Sequence, residues 1–403
     1  MNPLHDNRIL VIPSWYPPNG GYFFKEHAMA LANLGIEVDV VAGVHRSLRT
    51  LAISHIHKAF STLCSSSGTF REFRRDCWIV PFSEKANFVV WLHMMGQFFE
   101  WYVRTNGKPH IIIAHSAIWA GALANRIQKT HGIPYIIVEH RSRFVFNTPE
   151  SRAMVKPWYK PFMKRAFENA MHIVTVSSCL QIYIQKHVGG IKEKISSIPN
   201  MVDTDFFQPA PAPLPLEPFT FFSLGSLEKV KGMDVLLKAF AILHKLFPGQ
   251  YRLIIGGSGG EQKKLESFVA ENNLNTFIRF EGQMDRKTVK QRMQESHAFV
   301  LASRFEAFGV VFIEAMACGI PVIGTYSGGP PEFVENQYGI LVEADSPSEL
   351  AGAMQEMKNR YQSFNRENIR AYAVSKFSKE AVAMQYAELI KNLLKRDTIE
   401  KCI

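Results

Sequence analysis

Glu306 and Glu314 are separated by seven intervening residues in the stretch 303–323, which reads SRFEAFGVVFIEAMACGIPVI. A carboxylate accepts two hydrogen bonds well, and vicinal diols supply them. The spacing predicts strand, loop, helix, strand. Residues 298–301 are an apolar run that suits a buried strand, and 304–308 form the loop at its C-terminal end. A helix then starts near Gly309, carries Val310, Ile313, Glu314 and Ala317, and is closed by Gly319 as a C-cap. A new strand opens at Pro321. The helix N-terminus at Gly309 and Val310 offers backbone N–H groups and a positive dipole end, a place for a diphosphate. Gly309, after Phe308, allows close approach of the chain. Glu306 could then take hydroxyls on one side of the phosphates and Glu314 a ribose on the other. The plainer alternative is two solvated glutamates flanking an ordinary turn.

The stretch resembles the Glu-x7-Glu motif of the retaining glycosyltransferases of family 4, E-x-F-G-x-x-x-x-E-A-M-A-x-G-x-P-V, and matches every named position. The resemblance implies an α/β chain of GT-B fold: two Rossmann-like, doubly wound domains facing a central cleft.

Composition agrees with two globular domains. The chain has 403 residues, 47% of them apolar and 20% charged. The polar start and the short apolar run of residues 9–12 argue against a signal peptide, and no stretch is long enough for a membrane span. Five cysteines without a C-x-x-C pair make neither a zinc site nor a disulfide framework, which fits a reducing cytoplasm. The net charge of +10 suits anionic lipid or phosphorylated substrates. No nucleic-acid-binding module is visible, so no nucleic-acid partner is expected.

In the N-terminal half, residues 8–13 (RILVIP) predict a strand, 22–34 a helix and 37–42 the next strand. Gly20 and Gly21 lie just before that helix and resemble the family's first glycine loop, whose amides meet the donor phosphate or the acceptor. Residues 47–106 are less legible. Phe88, Trp91, Leu92, Met95, Phe98, Phe99 and Tyr102 recur at helical spacing, which fits either a core helix or a membrane-facing one. Residues 108–114 form a buried strand that delivers His115 to its C-terminal end, where ligands bind in open α/β sheets. The run HSAIWAG resembles the family's D-x-x-H-x-H region at the second histidine; Ile113 and His110 stand where the first histidine and the aspartate are usual. His140 ends a further strand in a segment resembling T-E-H-S. Residues 141–165 then hold seven basic side chains with Phe144, Phe146, Trp158, Tyr159 and Phe162 interleaved, a membrane-interface composition or a solvated basic face over buried rings.

Five prolines in 208–218 (QPAPAPLPLEP) read as an extended connector, which places the domains at 1–207 and 219–376. The second half alternates strands near Thr220, Tyr251, Phe277, Ala298, Pro321 and Gly339 with helices near 232–247, 261–272, 285–295 and 347–360. The loop GSLEKVKG resembles the family's G-R-L-x-x-x-K-G diphosphate clamp; Lys231 and Gly232 match, and Ser226 replaces the arginine. An arginine would bind phosphate as a fork and a lysine as a point charge. Residues 377–403 predict a helix that in GT-B proteins crosses back to the first domain.

The resemblance implies a retaining, metal-independent transfer from a UDP- or GDP-linked sugar to a glycan or lipid-linked acceptor, in bacterial surface polysaccharide or lipopolysaccharide synthesis. Lys231 would neutralise the diphosphate with the Gly309 helix end. Glu306 would orient the sugar and His115 would touch the sugar or acceptor. Gly20, Gly21, Ser226, Phe308, Gly309, Val310 and Glu314 would line the donor. No cofactor beyond the nucleotide sugar is expected. The protein would be cytoplasmic, against the inner face of the plasma membrane, with an anionic membrane surface as a partner. Two alternatives are a membrane-associated scaffold that keeps the fold without catalysis and an NAD-dependent oxidoreductase; LIIGGSGG at 253–260 lacks the dinucleotide fingerprint of the latter.

Overall fold

The computed structural model describes residues 7–18, 20–47, 61–79, 83–140, 156–212 and 214–402. The chain forms two compact units, one of residues 1–199 with 382–403 and one of residues 200–381.

The first unit is built on β1 (Arg8–Pro13), α1 (Tyr22–Asn33), β2 (Glu37–Ser47), β3 (Leu63–Ser67), β4 (Phe70–Ile79), α2 (Glu84–Asn106), β5 (Ile111–His115), α3 (Gly121–His131), β6 (Tyr135–Glu139), α4 (Lys160–Asn169), β7 (His172–Thr175), α5 (Ser178–His187) and β8 (Ile195–Ser197). Its strands order as β3-β4-β2-β1-β5-β6-β7-β8. All neighbours are parallel except β3 and β4. Ile111, Ile112 and Ile113 of β5 and Ile136, Ile137 and Val138 of β6 are fully buried, as a parallel sheet covered on both faces requires.

The aromatic stripe of α2 belongs to the core. Phe88, Trp91, Met95, Phe98, Phe99 and Tyr102 are all buried, and Ser83 caps the helix by accepting from the Ala86 amide at 3.1 Å. The alternative of a membrane-facing stripe is thereby corrected. The illegible region also holds β4, paired with β2 over ten positions. Its alternation is masked by paired charges. Arg71 forks onto buried Asp39 at 2.7 and 2.6 Å, with the Tyr102 hydroxyl on the same carboxylate at 2.5 Å. Buried Glu72 takes Lys25 at 2.7 Å and Arg74 at 3.0 Å.

The second unit contains β9 (Phe219–Leu224), a 3-10 turn (Lys229–Lys231), α6 (Met233–Leu246), β10 (Tyr251–Gly256), α7 (Gln262–Glu271), β11 (Ile278–Gly282), α8 (Arg286–Gln294), β12 (Ala298–Val300), α9 (Val310–Ala317), β13 (Val322–Thr325), β14 (Gly339–Val342), α10 (Pro347–Asn359) and α11 (Arg366–Phe377). The sheet order is β11-β10-β9-β12-β13-β14, parallel throughout.

The first unit ends at residue 199, ahead of the proline-rich stretch. Residues 200–207 are bound within the second unit. The Val202 amide donates to the Phe377 carbonyl at 2.7 Å, Lys379 to Asp203 at 2.6 Å, and Arg370 to the Thr204 and Phe207 carbonyls at 3.0 and 2.9 Å. Residues 208–212 and 214–218 lie along the second unit, where Gln294 donates to the Gln208 carbonyl at 2.7 Å and His297 to the Pro215 carbonyl at 2.9 Å. The last helix, α12 (Lys379–Cys402), belongs to the first unit from Val382 onward. Among the described residues no helix is long and apolar enough to cross a membrane.

Candidate functional site

In the second sheet the strand order reverses between β9 and β12, and the loops after those strands are where a doubly wound sheet binds its ligand. Ser226 and Lys231 follow β9; Glu306, Phe308 and Gly309 follow β12. The fold therefore brings together residues some 75 positions apart. The Lys231 ammonium donates to Glu306 Oε2 at 2.6 Å, and the Ser303 hydroxyl donates to the same oxygen at 3.1 Å. Both members of the ion pair are largely shielded, with side-chain exposures of 22% and 13%. The Glu306 backbone is pinned as well: its amide donates to the Ser327 carbonyl at 2.6 Å and its carbonyl accepts from Gly329 at 2.9 Å. Thr325 locks this loop by donating to the Ser303 carbonyl at 2.6 Å.

Gly309 caps α9 in a left-handed conformation, φ 99°, which favours glycine, and a Cβ there would strike the Phe312 ring at 2.7 Å. Val310 is exposed at the first helical position, while Phe308 packs inward against Phe333. Glu314 is half-buried one turn into α9. Burial, then the Glu314 charge, pushes the neighbouring Cys318 thiol up to about 12. Ser226 is exposed, and its carbonyl accepts from the Glu228 amide at 2.8 Å. Gly232 is left-handed too, φ 63°, with the Ala302 carbonyl where a Cβ would stand, so the loops after β9 and β12 touch backbone to backbone. Arg304, Asp234 and Ser303 were not singled out from the sequence. The only signal for Arg304 was its place inside the Glu306 loop.

In the first sheet the order reverses between β1 and β5. Gly20 and Gly21 follow β1, both at positive φ, with Gly21 as the N-cap of α1. His115 ends β5 as expected, but it is fully buried and meets two other histidines. Its Nε2 lies 3.2 Å from His27 Nδ1 of α1, and its Nδ1 lies 3.1 Å from His140 Nε2 after β6. Phe24 covers the ring at 4.5 Å. Both ring nitrogens of His115 are engaged inside the unit, and the half-buried His140 is the outer member of the trio. Burial first, and then the other histidines, hold His115 well below its ordinary pKa; burial lowers His27 to about 3, and the Tyr386 ring of α12 packs tilted against it at 4.2 Å.

Two family models match the chain in tandem. The model described as Glycosyltransferase Family 4 covers residues 21–206, and the one described as Glycosyl transferases group 1 covers residues 205–376. A D-inositol 3-phosphate glycosyltransferase of Pseudarthrobacter chlorophenolicus is 25% identical over 83% of this chain and 80% of its own. A phosphatidylinositol N-acetylglucosaminyltransferase of Arabidopsis thaliana is 27% identical over 47% of this chain, a match that spans only 42% of the plant protein. Among solved structures, sucrose-phosphate synthase from Thermosynechococcus elongatus superposes with a TM-score of 0.77 at 22% identity, covering 97% of this chain and 100% of that one. Anabaena HepE in complex with UDP gives 0.70 at 20% identity, over 96% and 100%. With the two parallel sheets and the loops described above, these matches remove the oxidoreductase and scaffold alternatives. The chain belongs to glycosyltransferase family 4 and is a glycosyltransferase of GT-B fold.

Proposed function

We propose that the enzyme is a retaining, metal-independent transferase that moves a sugar from a UDP- or GDP-linked donor to a glycan or lipid-linked acceptor at an anionic membrane surface. The observation that carries this reading is the Lys231–Glu306 pair beside the N-terminus of α9, at the reversal point of the second sheet. Lys231 and the helix end bring positive charge to one place, which suits a departing diphosphate. Ser226 supplies a neutral donor where the family has an arginine, so the cationic share falls on Lys231. Glu306 accepts hydroxyls of the sugar and stabilises the positive charge that develops on it. Glu314 accepts from the ribose. The HepE complex with UDP supports a uridine donor.

Thermal unfolding with UDP, GDP, ADP and NAD in turn tests the donor site. A nucleotide at a hundred times its dissociation constant should stabilise by about 2.7 kcal/mol. We expect a shift with UDP or GDP that Glu314→Ala abolishes. A shift with NAD alone would sink the reading.

The acceptor side rests on charge and on the relatives named for inositol phosphate and phosphatidylinositol. Lys160, Lys164 and Arg165 are exposed on α4 beside Phe162, which meets the Phe88 ring at 5.0 Å; Val89 of α2 is exposed as well. The basic and aromatic residues 141–155 lie outside the described residues. Cytoplasmic residence and a role in bacterial surface polysaccharide or lipopolysaccharide synthesis complete the proposal. Flotation with phosphatidylglycerol vesicles at low salt should carry the protein upward, and Lys160→Glu with Lys164→Glu should reduce the bound fraction severalfold. No flotation at low salt would remove the membrane from the proposal.

A further inference from the structure

We propose that Arg304 is a positioning residue, one that clamps the loop carrying Lys231 to the loop carrying Glu306 and so sets the separation of those two side chains. This rests on the reading of Lys231 and Glu306 given above.

Arg304 precedes Glu306 by two residues, yet its contacts go to the other loop. Its backbone amide donates to the Val230 carbonyl at 2.8 Å. Nη1 donates to the Lys229 carbonyl and to Asp234 Oδ1, the latter at 2.8 Å; Nη2 donates to Asp234 Oδ2 at 2.8 Å. Nε donates to Asp345 Oδ1 at 2.7 Å. One guanidinium thus ties the 3-10 turn that ends in Lys231, the first turn of α6, and the loop between β14 and α10. This use needs a planar fork with several fixed donors, which lysine lacks. The seam continues one step further along, where Gly232 packs on the Ala302 carbonyl.

The charges argue against Arg304 as a direct phosphate ligand. Two carboxylates already face it, and its hydrogen bonds hold the Asp234 carboxyl below the usual range, so Arg304 and Asp234 form an ion pair. Its charge is balanced where it stands, whereas the half-exposed Asp345 and Asp234 leave the clamp near the surface. Positioning matters to rate because a small misplacement of a charged group costs turnover far more than binding.

The test uses the full chain with Arg304→Gln, Arg304→Lys and Arg304→Ala. Release of UDP from UDP-glucose and UDP-N-acetylglucosamine gives turnover, UDP titration gives affinity, and the urea midpoint gives stability. We expect turnover to fall ten- to a hundredfold in Arg304→Gln, with UDP affinity within threefold of wild type. Arg304→Lys should recover little of it. Millimolar guanidinium ion should restore part of the turnover of Arg304→Ala. Turnover within threefold of wild type in all three variants would overturn the proposal. So would a loss that simply follows the urea midpoint, or a tenfold loss of UDP affinity fully restored by Arg304→Lys, which would make the group a phosphate-binding charge. If the wild type itself neither binds UDP or GDP nor releases UDP, the reading of the site fails, and the clamp falls with it.

Discussion

Replacing Lys231 by alanine should lower turnover by two to three orders of magnitude, about 2.7–4 kcal/mol of transition-state stabilisation. The argument is electrostatic. As the sugar leaves its diphosphate, negative charge grows on the departing oxygens, and a cation already fixed nearby needs no reorganisation to meet it. Lys231 is fixed in this way: its ammonium lies 2.6 Å from Glu306, its backbone amide is tied to the Glu228 carbonyl at 2.9 Å, and Gly232 anchors the following residue. Ser226 brings no charge where the family has an arginine, so the loop after β9 offers Lys231, with Lys229 two residues before it, as its cations. Turnover should therefore fall more than donor affinity, since the charge matters most at the transition state. Glu306→Gln should lower turnover too, because it keeps the shape and removes the charge that Lys231 and the sugar both use. Steady-state kinetics of UDP release over a range of donor concentration checks both. A Lys231→Ala enzyme within tenfold of wild type would show that Lys231 does not neutralise the departing group.

Much of the second unit was legible because its strands are short apolar runs bounded by glycine or proline. The helices expected near 232–247, 261–272, 285–295 and 347–360 appear at 233–246, 262–271, 286–294 and 347–359. The 303–323 stretch reads correctly down to the cap at Gly309, since a glycine at a loop-to-helix step carries a backbone requirement that periodicity alone does not. β4 escaped because Arg71, Glu72 and Arg74 break its alternation, and their burial is tolerable only through Asp39 and Lys25, which come from β2 and α1. His115 was placed at the right strand end, but its burial depends on His27 and His140, 88 and 25 residues away. Arg304 was hidden for the same reason: its partners Asp234 and Asp345 lie 70 and 41 residues away. Local pattern fixes where a side chain emerges; partners that converge from other elements decide what it faces.

Those converging histidines should make the first unit sensitive to acid. His27 and His115 are held neutral by burial, with His27 brought down to about 3 and His115 well below its ordinary value. In the unfolded chain both take the ordinary value near 6.5. Below that pH the unfolded state binds protons that the folded state refuses, so stability is full above about pH 7 and is lost as pH falls from 6.5 towards 3. His27 alone should cost about 2 kcal/mol between pH 7 and pH 5, and His115 adds to the loss in the same direction. A proton on either ring would place a cation in a site closed by Phe24 and Tyr386, where burial disfavours charge. His27→Phe keeps a ring against Tyr386 and removes one of the two groups. It should lower stability at pH 7, because His115 loses a partner, and should reduce the loss between pH 7 and pH 5. Urea unfolding of both proteins at the two pH values measures this directly, and imidazole NMR reads the same groups in the folded state. Resonances of His27 and His115 that titrate near pH 6.5 would refute the account, as would an unchanged pH slope in His27→Phe. Flat resonances with a reduced slope would show that His27 and His115 stay uncharged across the range where an exposed histidine switches. His140 would then be backed by two neutral rings, with its Nε2 3.1 Å from His115 Nδ1.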